Sequence, residues 1–366
     1  MFATTLILLL AGLAVASPLK RAPGLVVSLS AVESTIESID NIALVATVEN
    51  TSSDDIKVIK YGTVLDSELP TRSFIVSKGD SELSFTGVKV QISVPDLSSD
   101  SYIVIPAGQS VSATHTNLAT LYDFAAVGTG TFSFTPKHEF QVAGADDIVQ
   151  NIADTLTVSA ISAATVHVDI VTDVKKRDLK VLDKRAVVSC SASTQASFIS
   201  SSYTEGKALA SLAANYITTN GANSTLFKAY FGAQSIATPL SVLNNVANEN
   251  SSTRTLGCSD PYAVCDGNVI AYTVIATTNI YFCNIFYNEV ATTSLCTGTT
   301  IASRNIRGGT VLHEITHATS DTDDIGYGCA YDKNLAISSP SRAAINADNY
   351  NCFATEIYAS SQCQTS

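Results

Sequence analysis

Methionine occurs once in the 366 residues, at Met1, and tryptophan not at all. Histidine occurs five times, and no cysteine precedes Cys190. None of the eight cysteines has the paired C-x-x-C spacing of a structural zinc site. No stretch of about 20 uninterrupted apolar residues exists, so no segment reads as a membrane span. Basic residues are outnumbered, 21 Lys and Arg against 33 Asp and Glu. The net charge of −12 argues against nucleic acid or an anionic membrane as a partner.

What remains is the composition of a folded protein, 46% hydrophobic and 15% charged, with length for more than one core. Leu6 to Leu13 is an apolar run of secretory-signal length, and Ala14-Val15-Ala16 is a small-residue cleavage site before Ser17. Its leading region carries no Lys or Arg. Residues 1–16 are therefore expected to be a signal peptide on an exported, extracellular protein. In that compartment an even cysteine count implies disulfides. The sequons at Asn50, Asn223 and Asn250 agree with export.

Residues 17–185 alternate short β-type runs with turn clusters. Examples are Ile42 to Val48, Ile56 to Ile59, Phe74 to Val76, Val90 to Val94 and Thr131 to Phe134. That pattern predicts an antiparallel β-sandwich-like unit. His115, His138 and His167 fall here and read as ordinary loop or strand residues. Asp173-Val174-Lys175-Lys176-Arg177 and Asp183-Lys184-Arg185 follow, as solvated linker or as dibasic processing sites. The change to a cysteine-rich chain favours processing, with a mature part of 186–366.

The mature part reads as mainly helical with a small antiparallel sheet, which makes the whole chain α+β. Helices are expected over Ser193 to Ile217, Ser224 to Phe231, Pro239 to Asn248 and Ala343 to Tyr358. The β-branched and aromatic run from Val269 to Val290 is expected to form a strand pair. Gly308-Gly309 breaks the chain before His313-Glu314-Ile315-Thr316-His317, with Thr310 as the expected N-cap. On a helix, residues i and i+4 share a face, so the two imidazoles can grip one ion. The intervening Glu314 can then act on a water activated by that ion.

A catalytic zinc usually takes three protein ligands. The mature part has no third histidine, and the chain lacks the internal methionine of a Met-turn, so a carboxylate must complete the set. Candidates follow at once in Asp321-Thr322-Asp323-Asp324-Ile325-Gly326-Tyr327-Gly328, with Asp348 and Glu356 further on.

H-E-x-x-H followed by this segment resembles the deuterolysins, the aspzincin metalloendopeptidases of fungi, which carry G-T-x-D-x-x-Y-G there. Thr322, Asp324, Tyr327 and Gly328 match; Asp321 replaces the first glycine. Asn346-Ala347-Asp348-Asn349-Tyr350 resembles a second family element. The layout of signal, long propeptide, dibasic junction and disulfide-bonded mature domain is similar too. The likeness is sharp over about 40 residues, His313 to Tyr350.

The resemblance implies a zincin-type catalytic domain holding one Zn2+ and hydrolysing internal peptide bonds, with some liking for basic proteins. Lysine-selective members carry an acid where this chain has Asn351, so strict lysine preference is not implied. His313 and His317 would bind zinc, with Asp324 as third ligand. Glu314 would be the general base, and Tyr327 the hydroxyl donor to the oxyanion. Asp348 is the second-choice ligand, otherwise a carboxylate orienting a histidine. Asp321 and Asp323 read as loop acids or caps. Polypeptide substrates and a dibasic processing protease are the implied partners. The propeptide would act on its own chain as chaperone or inhibitor; lacking cysteine, it cannot block zinc through a thiolate. Two rival readings are a glutamate-type zinc peptidase using Glu356 and a secreted disulfide-rich adhesion protein with an accidental H-E-x-x-H.

Overall fold

The computed structural model describes residues 24–150, 152–162, 165–179, 190 and 192–363. The signal segment, Lys184-Arg185 and the expected mature start at Ala186 lie outside these residues. The described chain is mixed α and β, with mainly antiparallel sheets in its first half and helices in its second.

The first half builds three sheets around one apolar core. Leu25–Ala31 and Leu44–Asn50 pair at the centre of one; Gly130–Pro136 lies between Phe74–Lys78 and Val166–Asp173 in the second. Glu139–Gly144 pairs with Ile56–Ile59 in the third. Their inward residues, among them Val48, Phe74, Phe132, Phe134 and Phe140, are buried together. Two pairings depart from a purely antiparallel unit. Leu25–Ala31 runs parallel to Ile161–Ser162, and Val166–Asp173 parallel to Thr35–Ser38. The sequon at Asn50 is closed to sugar in the fold: its side chain is buried and bonded to the Asp54 and Ile105 carbonyls. Asn223 and Asn250 are exposed.

The second half packs seven helices, α1 (Ser193–Asn220), α2 (Thr225–Phe231), α3 (Ala237–Ala247), α4 (Arg307–Ser320), α5 (Cys329–Ser338), α6 (Pro340–Ala343) and α7 (Ala347–Gln362). α5 and the break between α6 and α7 were not expected; Pro340 starts a separate turn before α7. Four disulfides, Cys190–Cys258, Cys265–Cys283, Cys296–Cys363 and Cys329–Cys352, fasten this half alone. The last ties α5 to α7, on either side of the acidic loop's return path.

The expected strand pair is Val269–Val274 against Asn279–Phe282. Its sheet does not end there. Val88–Ile92 of the first half lies antiparallel along the other side of Val269–Val274. Val88, Val90 and Ile92 share a core with Val269, Tyr272 and Tyr281, which fuses the halves.

α4 is buried on all sides from Gly308 to His317. Thr310 is not its N-cap, because the helix begins at Arg307 and runs through both glycines. The glycines serve close packing instead. A Cβ on Gly308 would stand 2.7 Å from Glu205 Cβ, and one on Gly206 of α1 would stand 2.9 Å from the Gly308 carbonyl oxygen. Two glycines thus let α1 and α4 touch backbone to backbone. Gly308→Val is expected to cost about 1–3 kcal/mol by overpacking. Thermal unfolding followed by circular dichroism should show a midpoint lower by roughly 5 °C; an unchanged midpoint would contradict the contact.

Candidate metal centre

Three donor atoms converge above α4. His313 Nε2 and His317 Nε2 are 3.1 Å apart, and Asp324 Oδ1 is 3.0 Å from the first and 3.2 Å from the second. The imidazoles are fully buried and the Asp324 side chain is 13% exposed. Helical spacing supplies the imidazoles; the loop after α4 supplies the carboxylate.

That loop is shaped by its own backbone and by α7. Asp321 closes α4 in the left-handed region at φ +50°. Glycine adopts that conformation freely and Asp tolerates it, so the departure from the family's glycine keeps the turn. Asp323 exchanges backbone hydrogen bonds with Ile345 and Ala347, at 2.7 and 2.9 Å. Asn346 Oδ1 accepts from the amides of Ile325 and Gly326, at 2.9 and 3.3 Å. Its amide nitrogen donates to the Gly326 carbonyl and to Asp332 Oδ1, each at 3.1 Å. Asp324 is thereby held from both sides.

The protons are placed by the neighbours. His317 Nδ1 faces the Thr322 carbonyl at 2.7 Å and must donate to it, which leaves a lone pair on Nε2. His313 Nδ1 lies 3.6 Å from Asp348 Oδ1, beyond hydrogen-bond reach, while its Nε2 is 3.0 Å from Asp324 Oδ1. With both Nε2 atoms deprotonated, two nitrogen lone pairs and a carboxylate oxygen would meet at one point and repel unless a cation sat among them. Tetrahedral zinc with bonds of ~2.0–2.1 Å sets its donors roughly 3.3 Å apart, near the observed triangle. Asp324 Oδ2 and Glu314 Oε1 are buried without partners, as groups awaiting a cation and a water would be. The residues fit a zinc ion, and His313, His317 and Asp324 could hold it.

The electrostatics agree. Burial would lower the His313 pKa, but Asp324 and Asp348 hold it up at about 9, so the cluster attracts positive charge. Burial keeps His317 below its ordinary value. Against burial, the two imidazoles keep Asp324 ionised far below the usual carboxylate range. Glu314 is fully buried and pushed up to about 8, by burial first and then by the Asp324 charge. Its Oε2 accepts from Thr273 Oγ1 at 2.6 Å, which aims the carboxyl.

Asp348 does not join the triangle. Its Oδ2 accepts from the Gly328 amide at 2.5 Å and its Oδ1 pairs with Arg304. Although burial opposes it, Arg304 and His313 keep Asp348 ionised below its ordinary value. Burial and the Asp348 charge push Asp332 well above its own. Tyr327 is stacked on His313 with ring centroids 6.2 Å apart, and its hydroxyl donates to the Val90 carbonyl. Glu356 is not brought to the histidines. It bonds Tyr230 at 2.5 Å and Lys333 at 2.7 Å.

A family model described as deuterolysin metalloprotease matches residues 1–362. The chain belongs to the deuterolysin metalloprotease family. It is 32% identical over 370 residues to a neutral protease 2 homolog of Aspergillus terreus, covering 96% of this chain and 97% of that one. It is 28% identical over 345 residues to a peptidyl-Lys metalloendopeptidase of Armillaria mellea, covering 91% and 92%. A solved zinc peptidase from Grifola frondosa aligns at 23% identity and TM-score 0.38, covering 45% of this chain and 96% of that one. As a deuterolysin the chain is a zinc-dependent metalloendopeptidase.

Several residues around this deuterolysin's triangle were not foreseen. Thr273 sits in a β-branched run with nothing to mark it. Arg304 is a lone basic residue in a loop. Asn346 and Asn349 lie in the second family element, which flagged them without a role; Asn349 takes the Asn346 amide at 2.7 Å. Arg304 offers the cleanest test, since its loss strands the buried Asp348 charge. Arg304→Met is expected to lower the unfolding free energy by about 3–5 kcal/mol in urea titration. A change below about 1 kcal/mol would show that Asp348 does not depend on it.

Proposed function

We propose that His313, His317 and Asp324 hold the zinc of this metalloendopeptidase, with Glu314 as general base and Tyr327 as the hydroxyl donor to the oxyanion. The observation that carries this is the closed triangle of donor atoms 3.0–3.2 Å apart. Zinc, when bound, supplies a Lewis acid that acidifies water and polarises the substrate carbonyl. Glu314 Oε1, free of any partner while Thr273 holds Oε2, takes the proton from the attacking water. The water oxygen bonds to the carbonyl carbon, the C–N bond breaks, and Glu314 delivers the proton to the amine nitrogen. Tyr327 directs its hydroxyl at a carbonyl oxygen already, that of Val90. Asp348 Oδ1 lies 3.6 Å from His313 Nδ1 and acts on that ring through its charge.

The wider reading is a secreted zymogen with signal peptide 1–16, propeptide 17–185 and mature domain 186–366. It is supported by the leader's pattern and by disulfides that lie wholly within 190–363. Among the described residues no helix is long and apolar enough to cross a membrane. Arg177 is tied to Asp40 at 2.7 Å and Asp173 at 2.8 Å, which favours Lys184-Arg185 as the pair that a dibasic protease cuts. Substrates are polypeptides, with basic proteins favoured; one relative's name records a peptidyl-lysine activity.

Glu314→Gln is expected to keep one zinc per chain and to lose casein hydrolysis by about 10²–10⁴-fold. A variant that still cleaves would overturn the general base. Asp324→Ala should be purified without zinc, whereas Asp348→Ala should retain it with affinity weakened about 10–100-fold. Zinc loss confined to Asp348→Ala would exchange the two assignments.

A further inference from the structure

In the described chain Glu314 is 0% exposed, and His313 and His317 are 0% and 3% exposed. A peptidase cannot work with its base sealed, so something over the site must leave. A strand of the first half lies beside it.

Val88–Ile92 lies against Val269–Val274, with Thr273 opposite Lys89, Tyr272 opposite Val90 and Ala271 opposite Gln91. Directly opposed residues point to the same face. Lys89 therefore shares a face with Thr273, the residue that holds Glu314. The sheet order places Val88–Ile92 outermost, so without it Val269–Val274 becomes a bare edge. Such an edge takes an extended peptide as a further strand.

Each contact of the strand repeats what a substrate needs. The Val90 carbonyl oxygen accepts from the Tyr327 hydroxyl. Gln91 Nε2 donates to Thr310 Oγ1 on α4 at 3.3 Å. Lys89, 7% exposed, runs into the acidic loop. Its ammonium meets Asp321 Oδ1 at 2.7 Å, Asp323 Oδ1 at 3.1 Å and the Thr322 and Asp321 carbonyls at 2.6 and 3.3 Å. A half-open space of about 370 Å³ adjoins it, bounded by Lys89, Val90, Asp323, Asp324 and Tyr327.

We propose that Val88–Ile92 fills the substrate groove of the uncut chain as a built-in pseudosubstrate, and that Asp321 with Asp323 forms the subsite that later takes a basic side chain of the substrate. The proposal rests on the reading of the site given above. The Tyr327 contact marks Val90 as the residue whose carbonyl lies at the reacting position. Lys89 then stands at the second residue on the amino side of the cleaved bond. Removal of the first half frees the strand's place along Val269–Val274, exposes Glu314 and leaves two carboxylates facing the groove. The Asp that replaces the family's glycine at 321 is one of them, so this chain's departure from the motif has a use of its own.

The test starts from the full chain with Lys184 and Arg185 both changed to Ala, so that it stays uncut at that pair. In this background Lys89→Glu places a third carboxylate in the loop and is expected to raise hydrolysis of a fluorogenic peptide at least tenfold. The milder Lys89→Ala should raise it less. Zinc content and the thermal midpoint are read on the same samples. Folded, zinc-loaded variants as silent as the uncut parent would overturn the pseudosubstrate, provided the processed wild-type chain cleaves the peptide. Inactivity of the processed wild type would instead strike the reading of the site itself. The subsite is tested on processed chains with two peptides differing only in Lys or Leu at the second residue before the cleaved bond. Wild type should favour Lys by at least tenfold in kcat/KM, and that ratio should collapse in Asp321→Asn/Asp323→Asn. An equal ratio in both enzymes would overturn the subsite.

Discussion

The fold of the second half answers to one electrostatic demand. Two imidazole nitrogens and a carboxylate oxygen converge on a common point inside the protein, where a proton or a metal cation must balance the carboxylate's charge. α4 supplies the imidazoles only because Gly206 and Gly308 let α1 come close enough to bury it. The loop supplies Asp324 only because Asn346 at the start of α7 ties it from the far side. Asp348 and Arg304 then balance the charge behind His313. Disulfide Cys329–Cys352 fixes α5 to α7, and so keeps the loop's two anchors in register. Stability and chemistry are in this way drawn from the same few contacts.

Much of this was legible in the sequence, and the reasons differ by element. Helical spacing is local, so His313 and His317 could be placed on one face from four residues of separation. Asp324 and Tyr327 became readable through the resemblance of the loop to a family motif. The N-terminus of α4 was misread because two glycines ordinarily signal a break. Here they sit inside a helix, and the reason is a neighbouring helix distant in sequence. Strands such as Val166–Asp173 and helix α5 went unread, since the strand pairs with Thr35–Ser38 and the helix packs on α2, both far away in the chain. Thr273 and Arg304 could not be found at all; only pairing across the sheet and a loop's path put them beside Glu314 and Asp348.

The division between the halves proved less clean than the cysteine distribution suggested. Disulfides respect it, but the sheet does not. One strand of the first half completes the sheet beside α4. A strand interface has a useful property for such a role: backbone hydrogen bonds give affinity without demanding particular side chains. Specificity then falls to the few side chains that reach out, and Lys89 in the acidic loop is the clearest of them.

The central claim is the identity of the three donors around the metal. Zinc-edge X-ray absorption on the purified, metal-replete chain reads that shell directly. The account predicts two imidazoles and oxygen neighbours at about 2.0–2.2 Å. A sulfur neighbour at about 2.3 Å, or a shell of three imidazoles, would contradict it.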